Sequence, residues 1–150
     1  MKHPNPEYVT VLKKMVKDSP YPLHMQMTLE EIEINTARIM IRLGKRHLQP
    51  FGIVHGGVVA TIIDTATFWA AFLTLTEGTG LVNVDLKLNY LAPVVKGHLY
   101  AEGTCLRPGR SISYAEARVF DDARRLVAHG TSTLMALPGK GLDLGVDKFL

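Results

Sequence analysis

The chain has 150 residues, 47% of them apolar and 21% charged, the proportions of one globular domain with a single buried core. Its formal charge of +3 is small, and no Lys/Arg stripe interleaves with aromatics, which excludes a nucleic-acid footprint while suiting an anionic small molecule. One cysteine, Cys105, excludes disulfides within the chain and thiolate-rich metal sites.

Met1 to Pro6 lack the apolar core of a signal peptide, so the expected compartment is the cytoplasm. Asn5 is placed to cap a helix with Pro6 at its first position, and Tyr8, Val11, Leu12 and Met15 continue a helical stripe over residues 6–17. Asp18-Ser19-Pro20 and Pro22 end it. From Leu23 the period becomes two. Met25, Met27 and Leu29 alternate, Glu30-Glu31 break the phase as a bulge would, and Ile32 and Ile34 resume. Asn35 marks a turn before a second strand that carries Ala37, Ile39, Ile41 and Leu43 on one face. A loop over 44–54 leads into a helix predicted from Gly56 to about Thr76. The remainder reads as four strands: Leu81 to Leu91, Leu99 to Arg107, Ile112 to Phe120 and Arg125 to Leu137. Short turns at 108–110 and 121–123 fit antiparallel hairpins. Residues 139–150 read as a frayed tail on a single domain whose core spans about 23–137.

Helices beside a run of antiparallel strands imply an α+β layer architecture. The segment Val58 to Leu75 is apolar on nearly every side, which implies a helix buried all round rather than one crossing a membrane, because Asp64 and several threonines interrupt it. A curved antiparallel sheet wrapped around this helix satisfies the pattern, the hotdog arrangement, as other α+β sheets would.

Asp64 is the only formally charged residue between Arg46 and Glu77. A carboxylate in an apolar helix costs several kcal/mol of desolvation unless compensated. A bond to Thr61 or Thr65 would explain it structurally; a perturbed catalytic carboxylate would explain it functionally. The neighbouring His55-Gly56-Gly57 favours function. Free N–H groups and the positive dipole end of the helix meet there, a device that stabilises negative charge developing on a carbonyl oxygen. Eight residues separate Gly56 from Asp64, roughly 12 Å along a helix. One reacting group cannot touch both, so the two would come from different chains, with helices paired antiparallel about Ala60. A homodimer at least, with two composite sites, is the expectation.

The run Gly52-Ile53-Val54-His55-Gly56-Gly57 followed by Asp64 resembles the signature of the phenylacetate-degradation (PaaI-type) hotdog thioesterases. Val84 to Pro93, Gly97, Glu102, Gly109-Arg110 and Ala128-His129-Gly130-Thr131 are similar too, so the resemblance spans about 23–137. It implies an acyl-CoA thioesterase without metal or other cofactor, coenzyme A being part of the substrate, assembled as a dimer or tetramer. It also implies roles. Asp64 is the nucleophile or general base, the Gly56 amide polarises the thioester carbonyl, His55 supports the loop and carbonyl geometry, and Gly57 is a substrate-binding residue. Where the family usually has Asn to hold the attacking water or leaving group, this chain has Gln49; where it has a hydroxyl residue on the strand after the helix, it has Asn83.

Arg107 and Arg110 flank a turn beside Ser111 and have the chemistry to meet CoA phosphates, although solvated turn charges are commoner. His24, His47, His98 and His129 show no metal-ligand spacing, and no Gly-x-Ser-x-Gly elbow occurs. The competing readings are a non-catalytic acyl-CoA sensor, an acyl dehydratase and a structural dimerisation domain.

Overall fold

The computed structural model describes residues 2–150. In chain order the elements are α1 (Pro6–Asp18), α2 (Pro20–His24), β1 (Met27–Glu33), β2 (Thr36–Arg42), α3 (Gly56–Phe72), β3 (Thr79–Tyr90), β4 (His98–Arg107), β5 (Ile112–Phe120) and β6 (Leu126–Pro138). The strands form one antiparallel six-stranded sheet in the order β1-β2-β4-β5-β6-β3. The sheet curves around α3, which makes this a hotdog fold.

Small residues on the concave face let the helix sit close. Ala101, Ala115 and Ala117 are fully buried beneath α3, whose Ile62, Ile63, Ala66 and Ala70 are likewise sealed from solvent. At Gly103 the approach is closest: a Cβ there would stand 2.3 Å from the Ala66 carbonyl oxygen, which no side chain permits. Cys105 belongs to the same buried surface and is a free, packed thiol.

α1 forms as read, with the Asn5 side chain accepting from Glu7 N–H at 3.0 Å. The β1 bulge falls between Leu29 and Glu31, at the expected place. A second bulge, between Asn83 and Asp85 in β3, was not foreseen.

Four expectations need correction. Pro20 does not merely stop α1. It opens the one-turn helix α2, where its missing N–H costs nothing, so Met25 closes a helix and the first strand starts only at Met27. α3 stops at Phe72, short of Thr76, because its last carbonyls are captured from elsewhere. The Thr74 hydroxyl donates to Ala71 O at 2.7 Å, and Lys148 Nζ donates to Phe72 O and Leu75 O at 2.8 and 3.0 Å.

Lys148 also overturns the frayed tail. It is buried, Phe149 bridges Pro4, and Asn5 N–H donates to Lys148 O, so the tail is clasped against α1 and the end of α3. Finally, α3 is not buried all round within one chain. Ala60, Thr61, Asp64, Thr65 and Phe68 form a half-exposed stripe at helical spacing. Among the described residues, no helix is long and apolar enough to cross a membrane.

Candidate active site

The loop before α3 is pinned from below by His47. Its Nδ1 accepts from Gly44 N–H at 2.9 Å, so Nε2 carries the proton and donates to Met25 O at 2.8 Å. The His47 carbonyl in turn accepts from His55 N–H at 2.8 Å, setting the residue that opens the helix. His55 is the helix cap, its Nδ1 accepting from Gly57 N–H at 2.7 Å and its carbonyl from Val58 N–H at 2.9 Å. Gly57 N–H is thereby used. Gly56 N–H has no acceptor among the described residues and sits at the positive end of a 17-residue helix.

Tyr90 completes this end of the site. Its hydroxyl donates to Gly56 O at 3.1 Å, and its ring lies so close that a Cβ on Gly56 would stand 2.8 Å from the hydroxyl oxygen. Gln49 closes a tight turn over 49–53, its carboxamide oxygen accepting from Phe51 N–H. Gln49, Gly56, Val59 and Tyr90 line one cleft of about 450 Å³. The structure therefore brings Gln49 and Gly56 together.

Asp64 lies elsewhere, two turns along α3 on its half-exposed stripe, in a separate cleft of about 390 Å³. Its carboxylate receives no hydrogen bond from the described residues: of the two threonines expected as partners, Thr61 shares its hydroxyl with Tyr21 and Thr65 donates to Thr61 O. Burial alone pushes the Asp64 carboxyl above the usual carboxylate range. The Asn83 carboxamide nitrogen lies 3.2 to 3.4 Å from Ser132 Oγ, Thr67 Oγ1 and the Asp64 carbonyl oxygen, turned under the helix by the β3 bulge. The cleft lined by Gly56 and the cleft lined by Asp64 share no residue.

Arg107 is exposed at the end of β4, and Arg110 lines a cleft with Thr74, Thr76 and Thr79, beyond the opposite end of α3 from Gly56. One chain does not bring either to Gly56 or Asp64. His47 and Tyr90, and Tyr21, which lines the Asp64 cleft with its hydroxyl against that of Thr61, lie outside the site residues expected from the sequence. Tyr90 stood within a quoted motif, but its contact with Gly56 spans 34 residues, and nothing local signals it. Among the described residues, no cluster of three or more His, Cys, Asp or Glu side chains could hold a metal ion.

Residues 51–128, from the Gln49 turn through β5 into β6, match the model of the thioesterase superfamily. The proofreading thioesterase EntH of Klebsiella pneumoniae is 28% identical over 68% of this chain and 74% of its own length. Among solved structures, a thioesterase from Haemophilus influenzae superposes with a TM-score of 0.80 at 25% identity, over 85% of this chain and 89% of that one. A thioesterase family protein from Silicibacter pomeroyi gives a TM-score of 0.81 at 26% identity, over 88% and 99%.

Proposed function

The chain belongs to the thioesterase superfamily, and from that membership we propose that it hydrolyses acyl-CoA thioesters to the free acid and coenzyme A, using Asp64 of one protomer and the Gly56 amide of another. The observation that carries this reading is a pair of unsatisfied groups. Among the described residues, a carboxylate with no hydrogen-bond donor and an N–H with no acceptor lie on one helix, eight residues apart, in clefts that share no lining residue.

Two further features support pairing of copies. The stripe through Ala60, Thr61, Asp64, Thr65 and Phe68 is half-exposed on a helix otherwise buried from Val58 to Phe72. Antiparallel apposition centred on Ala60 covers that stripe and sets Gly56 opposite the other chain's Asp64. β3 is a 12-residue edge strand whose outer side has no partner, and Val84 and Tyr90 are exposed along it. An open edge of that length is a template for pairing.

Two chemical routes use this arrangement. As general base, ionised Asp64 takes a proton from water, and the hydroxide attacks the thioester carbonyl carbon. The oxyanion forms against Gly56 N–H, the C–S bond breaks, and the proton passes to the departing thiolate. As nucleophile, Asp64 attacks the carbonyl itself. CoA thiolate leaves, and water then cleaves the resulting anhydride. Oxygen label from water appears in the Asp64 carboxylate after one turnover only on the second route.

The direct test is thiol release across a panel of aryl- and straight-chain acyl-CoAs, with Asp64→Ala as control. The variant is expected to lose at least about 100-fold, the scale of an acid–base residue. Equal activity in the variant would remove Asp64 from the mechanism. CoA-ester binding without thiol release by the parent would instead favour a sensor.

A further inference from the structure

Asp64 stands on the wall of a cleft whose other walls come largely from outside residues 51–128. α1 supplies Met15, α2 supplies Tyr21 and the tail supplies Leu142, facing Phe68 and Trp69 on α3. These outer parts are held in place by specific contacts. The Tyr21 and Thr61 hydroxyls meet at 2.6 Å, one turn before Asp64 on the same helix face. Gly141 N–H donates to Gly78 O at 3.1 Å, and the two backbones touch so closely that a Cβ on Gly80 would stand 2.3 Å from Lys140 O. The buried Lys148 anchors the tail further on.

We infer that Met15, Tyr21 and Leu142 set the length and shape of the acyl group this chain accepts. The inference rests on Asp64 acting at the thioester. A thioester carbonyl beside Asp64 carries two substituents. The CoA arm bears phosphates and must lead to solvent, whereas the acyl arm needs apolar walls, and this cleft offers them directly beside the carboxylate. Phe68 and Trp69 meet edge to face at 4.8 Å, and Trp69 meets Phe72 at 5.1 Å, giving a rigid aromatic floor. Each acyl methylene that reaches these walls is worth about fourfold in binding. That gain ends where the chain meets the roof made by α1, α2 and the tail. The superfamily core thus holds the reacting end, and the added segments measure the other end.

Trp69 is the only tryptophan and lines this cleft, so its emission reports occupancy independently of turnover. The experiment titrates non-hydrolysable thioether analogues of short, medium and long acyl-CoAs against the full chain, and measures kcat/KM for the matching thioesters. Met15→Phe, which narrows the cleft, should lower the long-to-short kcat/KM ratio about tenfold, and Leu142→Ala should raise it severalfold. Leu142 is 40% exposed, so its truncation keeps the test open if Met15→Phe fails to fold. Trp69 emission should shift with the analogues that fit and follow the same ratio. An unchanged ratio in both variants, or tight analogue binding that leaves Trp69 silent, overturns the inference. Absent thiol release with Trp69 responses that still track the variants would sink the hydrolytic reading and support the cleft assignment.

Discussion

Asp64 carries its carboxylate into an apolar wall with no donor to meet it, and that one placement has two opposite consequences. In the proposed catalytic role, as base or nucleophile, a carboxyl that titrates above the usual range holds its proton more strongly and must lose it to act. Thiol release is therefore expected to fall on acidification with a midpoint above that of an ordinary carboxylate, as a kcat/KM–pH profile would show. For stability, the raised value gives the folded chain a gain relative to the unfolded one that is complete below the usual carboxylate range. That gain is lost as pH rises through the raised value. Asp64→Asn should thus melt higher than the parent at pH 7, by less than about 1 kcal/mol because the group is partly solvated, with the difference vanishing near pH 3. Thermal melts at the two pH values check this. At Gly56 the constraint is steric. Gly56→Ala drives a methyl into Tyr90, so kcat should fall about tenfold or more, and adding Tyr90→Ala should restore part of it. The charge pattern made Asp64 legible in the sequence, and the glycine pair made Gly56 legible. Tyr90 was not legible, because its role depends on β3 passing over the start of α3.

Among the elements, α3 and the four strands after it were readable because period and turn residues agree with the final packing. The ends were not. α2 was hidden because a proline that stops one helix also starts another well, and nothing local separates the two outcomes. The tail was misread because its anchor is long-range: Lys148 Nζ reaches carbonyls 73 and 76 residues earlier in the chain. Its burial pushes the Lys148 ammonium down to about 8, against an ordinary 10.5. Between those values the unfolded chain binds more protons than the folded one, so stability should rise with pH across this window. Unfolding curves from pH 7.5 to 10 should show that rise in the parent. Lys148→Met should lack it, while losing stability at every pH from two uncapped carbonyls.

At the scale of the whole molecule, the proposed pairing makes each chain half of two sites. The eight-residue interval between Gly56 and Asp64 is the first ground for that proposal, since helix geometry alone places the two groups too far apart for one carbonyl. The fold adds what spacing could not: separate clefts for the two groups, a half-exposed stripe between them and an open sheet edge beside them. The roof over the Asp64 cleft, by contrast, comes from the two chain ends and was illegible until they were seen to meet. The most direct test of the shared site is complementation. Asp64→Ala and Gly56→Ala proteins, expected to keep about 1% and about a tenth or less of the parent's activity, are mixed in equal amounts under conditions where mass measurement shows subunit exchange. If one site needs both chains, half of the dimers are mixed and one site in each is intact, so activity should recover to about a quarter of the parent's. Activity that stays at the level of the two separate variants, with exchange demonstrated, would contradict the account.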